Sequence, residues 1–213
     1  VKSAANTAET GDSTALVIGR LIAFGSTSRF TKMDSRCAAE RRIAAALAGA
    51  EEQVKAVGTR RGICWTVLRP TMVYGADMDH TVTLIRRMIR RFGFFPVAGR
   101  ARGRRQPVHV DDLVAAVLAV RERPATFGRA YNLGGGEVLT YREMVERIFR
   151  REGKRPRIVP LPAAVLYLLL RPAVFLGLTG PVPMAMIRRQ NRDLCFDNRP
   201  AATDFGWAPR GFE

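Results

Sequence analysis

The sequence predicts an α/β protein, a parallel sheet followed by a smaller mixed lobe, and three observations carry the prediction. Apolar runs of strand length alternate with stretches of helical spacing between residues 20 and 135. One run, GICWTVLRP (62–70), is apolar on both faces, as a central parallel strand is. Beyond it, short strands and apolar helices mix without a regular alternation. At 213 residues and 47% hydrophobic, the chain is long enough to bury a sizeable core.

The elements follow in order. VKSAANTAETGDSTA is small and polar, so residues 1–19 read as a disordered or vestigial start with no apolar signal segment. RLIAFGST (20–27) is a strand running into a Gly-Ser-Thr turn. From Cys37 to Val57, Ile43, Leu47, Val54 and Val57 fall at helical spacing and mark the face expected to pack against the sheet. Val82, Ile85, Ile89 and Phe92 mark a second helix, with Arg86, Arg87, Arg90 and Arg91 on its other face. QPVHV (106–110) is a strand, and Asp111 is the expected cap of the helix DLVAAVLAV. RAYNLGGG (129–136) is a strand entering a glycine turn, and Thr140 with Glu143 predicts a capping box for YREMVERIFRR. RIVPLP (157–162) and LCFD (194–197) read as further strands, and Pro200 opens a last helix ending near Gly206. AAVLYLLLRPAVFLGL (163–178) is interrupted by Arg171-Pro172 and falls short of the ~20 residues a membrane span needs. It predicts two short helices.

Charge and cysteines narrow the function classes. The net charge is +16, carried by 31 Arg against 4 Lys. Eight of the arginines lie within residues 86–105, but Phe92, Phe94 and Phe95 follow that helix instead of interleaving with the charges. No stacking platform for nucleic acid results. Cys37, Cys64 and Cys195 are odd in number and far apart, which argues against a disulfide framework or a zinc site and makes a reducing cytoplasm the default.

Five motifs, in order, resemble the NAD-dependent epimerase/dehydratase family, the extended short-chain dehydrogenases that act on nucleotide sugars. They are GSTS (25–28), RPTMVYG (69–75), RQPVHVDDL (105–113), YNLGGGEVLTYREMVERI (131–148) and FDNRPAATDFGWAP (196–209). The resemblance covers about residues 20–213 and implies the C-terminal part of a doubly wound parallel, Rossmann-like sheet with a smaller mixed substrate lobe. Residues 20–135 would be the partial dinucleotide-binding domain, with lobe segments around 76–105, and residues 136–213 the substrate-binding lobe.

In that family the strand ending in Arg-Pro reaches the carboxyl edge of the sheet, where ligands bind. Pro70 is expected to stop sheet pairing there. Gly25, Pro70, Thr71 and Tyr74 would line the nicotinamide and sugar pocket, and Gly75 would let the chain turn toward the lobe. Thr27 takes the place of the catalytic hydroxyl, with Ser26 beside it; the bland alternative is a Ser/Thr turn. Arg105 matches an arginine that holds the nucleotide diphosphate, and Arg192 matches a second one. Asn132 reads as a turn residue and His109 as structural. A triad of Ser26, His109 and Asp111 has the residue types and no supporting spacing.

Two departures from the family stand out. Its Tyr-x-x-x-Lys pair, in which the lysine lowers the tyrosine pKa for proton exchange during hydride transfer, falls on Ile43 and Leu47 when the helix is aligned on Glu51. No tyrosine precedes Tyr74. The glycine-rich dinucleotide turn should stand several βαβ units earlier, each about 30 residues long, and only some twenty residues precede the GSTS strand. A piece of a longer chain is the favoured explanation, since a sheet without its first strands leaves an apolar edge open. NAD or NADP is therefore expected in a full-length protein and not on this chain alone. By descent the function is sugar-nucleotide oxidoreduction; the alternative is a catalytically silent relative that binds a nucleotide sugar or serves in assembly. A homodimer is compatible with both, nucleic acid is disfavoured, and a membrane-surface role for 163–178 is a further option.

Overall fold

In the computed structural model of the chain, residues 18–75, 79–175 and 182–212 are described. All but the last two residues of the expected N-terminal segment 1–19 lie outside them. The chain opens with β1 (Arg20–Phe24), the single turn α1 (Ser28–Thr31), the long α2 (Ala38–Arg61) and β2 (Cys64–Pro70). There follow β3 (Val73–Tyr74), α3 (His80–Phe92), β4 (Phe95–Ala98), β5 (Arg104–Arg105), β6 (Val108–His109) and α4 (Val110–Arg121). The second half holds β7 (Arg129–Leu133), β8 (Leu139–Thr140), α5 (Tyr141–Arg151) and β9 (Ile158–Leu161). It closes with α6 (Ala163–Phe175), α7 (Met184–Arg188) and α8 (Arg199–Phe205).

The fold is parallel α/β. β1, β2 and β7 form a parallel sheet with β2 at its centre, Phe24 opposite Leu68 and Leu68 opposite Tyr131. Both faces of β2 are covered, which is why apolar residues occur on both sides of it, and its polar Thr66 and Arg69 are each hydrogen-bonded. Trp65, Val67 and Arg69 face α2, where Gly58 lets Trp65 approach and Glu51 receives Arg69. Leu68, Tyr131 and Leu133 pack on the other side with Leu113 and Val120 of α4 and with Ala201, Phe205 and Trp207. The last segment thus returns to the first sheet. A second core lies between α3, α5 and β4, built on Ile85, Ile89, Met144, Ile148 and Phe149. A third, smaller one joins Ala98, Leu166 and Ile187.

Local signals act as physics requires. Thr140 Oγ1 accepts from the Glu143 amide while Glu143 reaches back to Thr140, the expected capping box. Gly206 ends α8 at φ +75°. Three expectations need correction. Asp111 is not the cap of α4: the helix starts at Val110, capped by His109, whose ring accepts from the Asp111 amide at 3.2 Å. This also shortens the 106–110 strand to Val108–His109. Pro70 is, as expected, the last paired residue of β2, opposite Leu133, and its carbonyl accepts from Thr27 in the turn after β1. LCFD contributes one bridge, Leu194 to Arg105, and no strand. Finally, α6 runs unbroken from Ala163 to Phe175 through Pro172, which lies on an exposed side of the helix. β4, missed in the sequence after a Gly-Phe turn, pairs in parallel with β9.

Candidate functional site

The ends of β1 and β2 lie side by side at the carboxyl edge of the sheet. The Gly25 amide donates to the Leu68 carbonyl at 2.8 Å, and the Thr27 amide and hydroxyl both donate to the Pro70 carbonyl, at 3.2 and 3.1 Å. Beyond Pro70, the Thr71 amide donates to Leu133 at 3.0 Å and its hydroxyl to Gln106. Ser26 Oγ accepts from the Ser28 amide at 3.1 Å. Thr27, Ser26, Gly25, Pro70 and Thr71 are thus brought together, and each hydroxyl among them is engaged by backbone.

Directly beneath lies a network the sequence did not announce. Glu51, buried on α2, receives the Arg69 guanidinium through Nε at 2.9 Å and Nη2 at 2.7 Å, and also pairs with Arg29. Both guanidinium groups lie over the Phe30 ring, at 5.2 and 5.3 Å. Phe30 in turn meets Phe196 of the C-terminal segment at 6.0 Å. Glu51 Oε1 is buried without a hydrogen-bond partner and stands 2.5 Å from where a Cβ on Gly25 would be. Gly25 is therefore required by Glu51, not by an open space. A second acid on the same face, Glu40, accepts from Ser35 Oγ at 2.6 Å and pairs with Arg189 beyond α7, tying α2 to the lobe. Residues 40, 44, 51 and 58 do recur on one helical face and are acidic or small, but that pattern leaves the arginine partners unspecified.

That register overturns the apolar face proposed for α2. The helix turns Glu40, Ala44, Glu51 and Gly58 inward, while Ile43 is 45% exposed and Leu47, Val54 and Val57 are only half-buried. Electrostatic pairing with Arg29, Arg69 and Arg189 sets the orientation against the weak pull of scattered aliphatics. Ile43 and Leu47, in the places of the proton-relay pair, carry no titratable group.

Other expected residues lie elsewhere. Tyr74 points into the core between Phe212 and His109, its hydroxyl donating to the Gly211 carbonyl at 3.0 Å. Gly75 takes φ +108°, and a Cβ there would stand 2.7 Å from His109 Nε2. Arg105 is 5% exposed; its guanidinium donates to the carbonyls of Arg104 at 2.8 Å, Arg192 at 2.7 Å and Arg189. Burial lowers its pKa, partly offset by the neighbouring Tyr141. Arg192 joins it through its carbonyl, while its own side chain is exposed. His109 and Asp111 are close, 3.4 Å apart, but Ser26 is bound to its own turn, so no triad is assembled. Asn132 Oδ1 is buried without a partner at the end of β7. A separate cleft of about 430 Å³ lies between α3 and α5, where Arg86 and Arg90 both bind Glu152. That pairing neutralises part of the basic ridge of α3.

Comparison with known proteins places these features in context. A sequence model of the NAD-dependent epimerase/dehydratase family matches residues 17–134. The chain is 29% identical over 120 residues to the mitochondrial NADH dehydrogenase (ubiquinone) 1 alpha subcomplex subunit 9 of Arabidopsis thaliana, covering 56% of this chain and 30% of that protein. Among solved structures it resembles UDP-glucuronic acid 4-epimerase from Bacillus cereus in complex with NAD, with a TM-score of 0.63 at 15% identity over 89% of this chain and 56% of that one. UDP-glucose 4-epimerase from Thermotoga maritima, solved with UDP-glucose, gives a TM-score of 0.62 at 19% identity over 90% and 58%. At such identities the likeness is one of fold. The chain spans about a third of the curated relatives it matches and somewhat over half of the solved structures.

Proposed function

This chain belongs to the NAD-dependent epimerase/dehydratase family, and we propose that it serves there as a catalytically silent member, holding a nucleotide sugar or a partner without turning over sugar. One observation carries the reading. On the alignment through Glu51, Ile43 and Leu47 stand in α2 where relatives need a phenol and an amine, and Glu51 itself is held between Arg29 and Arg69. Isoleucine and leucine cannot exchange protons, and the Glu51 carboxylate is already engaged by two guanidinium groups. The likeness to an NADH dehydrogenase subunit supports a role within a larger assembly.

The described residues do not fit a bound dinucleotide. The space beside Gly25 is filled by the Glu51 carboxylate, and the hydroxyls of Thr27 and Thr71 are engaged by backbone carbonyls. On this reading the binding of NAD or NADP belongs to a longer protein. A second reading, sugar oxidation at the Thr27 hydroxyl with Arg105 on the diphosphate, is supported by the position of Thr27 at the carboxyl edge. The test is a full-length protein carrying this segment, mixed with NAD or NADP and a panel of UDP-sugars. Calorimetric binding with neither cofactor reduction nor chemical conversion of the sugar is expected; conversion of the sugar, or reduction of the cofactor, overturns silence in favour of the second reading.

A further inference from the structure

We propose that α6 seats this chain on the surface of an anionic bilayer, with its outer apolar face in the headgroup–acyl boundary and the arginines that flank it in the sequence against lipid phosphates. Val165, Leu168, Leu169, Pro172 and Phe175 recur at i, i+3, i+4, i+7 and i+10, and so share one face of the helix. Val165 is 43% exposed, Leu168 66%, Leu169 61% and Phe175 90%. Single exposed aliphatics are ordinary on a protein surface, but a contiguous stripe of this kind marks an interaction face. The opposite side of the helix is anchored: Leu166 is buried with Ala98 and Ile187. The stripe is therefore displayed by a fixed element.

Charge identifies what the stripe fits. From Gly153 to Arg192 there is no acidic residue, while Lys154, Arg155, Arg157, Arg171, Arg188, Arg189 and Arg192 supply seven positive charges. Arg155, Arg157, Arg171, Arg188 and Arg192 are exposed and form no ion pair among the described residues. Elsewhere arginines are tied to carboxylates, as Arg129 is to Asp204 and Arg210 to Asp112. Guanidinium groups bind phosphate oxygens in pairs, so an apolar stripe with basic flanks matches an anionic headgroup layer. A second copy of the chain would set the same uncompensated charges against each other across a two-fold axis. At 13 residues, α6 is about 20 Å long, against a hydrocarbon core of about 30 Å. No helix among the described residues is long and apolar enough to cross a membrane, so the geometry is that of a helix lying on the bilayer.

The test is flotation of the chain with vesicles of phosphatidylcholine alone and of phosphatidylcholine mixed with phosphatidylglycerol. Binding to the anionic vesicles, weakened by added salt, is expected. Leu168→Asp/Leu169→Asp should reduce that binding at least tenfold. Arg155→Gln/Arg157→Gln/Arg171→Gln should reduce it about a hundredfold, each charge near the surface counting for about fivefold. Both variants change exposed side chains, so an unchanged melting temperature verifies that they fold. The proposal is overturned by equal binding to both vesicle types, by undiminished binding of the Asp variant, or by failure of the parent chain to bind. Failure accompanied by a dimer that Leu168→Asp/Leu169→Asp dissociates would assign the stripe to a second copy instead.

Discussion

Arg105 shows how one side chain can carry both a family role and a structural one. Its guanidinium joins three backbone carbonyls from separate parts of the lobe, at Arg104, Arg189 and Arg192. Removing it strands those acceptors at about 1 kcal/mol or more each. Arg105→Ala should therefore lower stability by roughly 3 kcal/mol, read as a shifted urea midpoint, while Arg87→Ala on the exposed face of α3 should stay within about 0.5 kcal/mol. Equal effects would place Arg105 in a diffuse basic surface. Glu40 supplies a pH dependence. Burial pushes its carboxyl up, but the Ser35 hydroxyl and the Arg189 guanidinium outweigh burial and hold it below its ordinary 4.5. A lowered folded pKa means the unfolded chain takes up the proton first as pH falls. The stabilisation is thus present above 4.5 and disappears as pH drops through the folded value. Glu40→Gln should flatten the acid side of a plot of urea midpoint against pH; an unchanged slope would mean that the Arg189 contact is open in solution.

At the scale of the element, α2 gives two expected outcomes that run against propensity rules. Gly58 lies within the helix, where alanine is ordinarily better by about 1 kcal/mol. A Cβ at that position would stand 2.3 Å from Trp65 Cδ1 and 3.0 Å from the Ile63 carbonyl. Gly58→Ala should consequently lower the melting temperature; a rise would show that Trp65 yields easily. The second outcome concerns Ile43→Tyr/Leu47→Lys. Buried acceptor-free sites would make this pair costly, but Ile43 is exposed and Leu47 half-buried. The double variant should fold with its stability changed by about 0.5 kcal/mol or less, and without gaining sugar-dependent cofactor reduction, since Glu51, Arg29 and Arg69 still fill the edge. Turnover by this variant would show that the two residues alone silence the site.

For the whole molecule, the return of α8 and Trp207 to the first sheet matters most. The Trp207 indole donates to the Gly134 carbonyl at 3.0 Å, Asn198 bonds Gly134 in both directions, and Phe212 closes on Tyr74. The lobe and the sheet are thereby stapled at the glycine turn after β7, and by Glu40–Arg189 at the other side. With the sheet edge occupied by this chain's own groups, titration of the chain with NADH or NADPH, followed by cofactor fluorescence, should show no saturable change in the micromolar range typical of such sites. Saturable binding would require the Glu51 cluster to open.

Much of this was written in the sequence. Alternating apolar runs determined the parallel sheet, the doubly apolar 62–70 run determined its central strand, and Thr140 with Glu143 determined the start of α5, because each depends on neighbours a few residues apart. The juxtaposition of Thr27 with Pro70 was likewise legible from the order of motifs. The inward face of α2 was not: Glu51 binds Arg29 and Arg69 from two other elements, and pairing across the fold outweighed a periodicity of isolated aliphatics. Nor could local signals show that His109 would displace Asp111 as a cap, that Tyr74 would be drawn under Phe212, or that Arg105 would be taken by carbonyls 84 and 87 residues away. Composition sets which groups must be buried or paired; only the tertiary structure decides with whom, because the partners of a buried charge are chosen by distance in space and not along the chain.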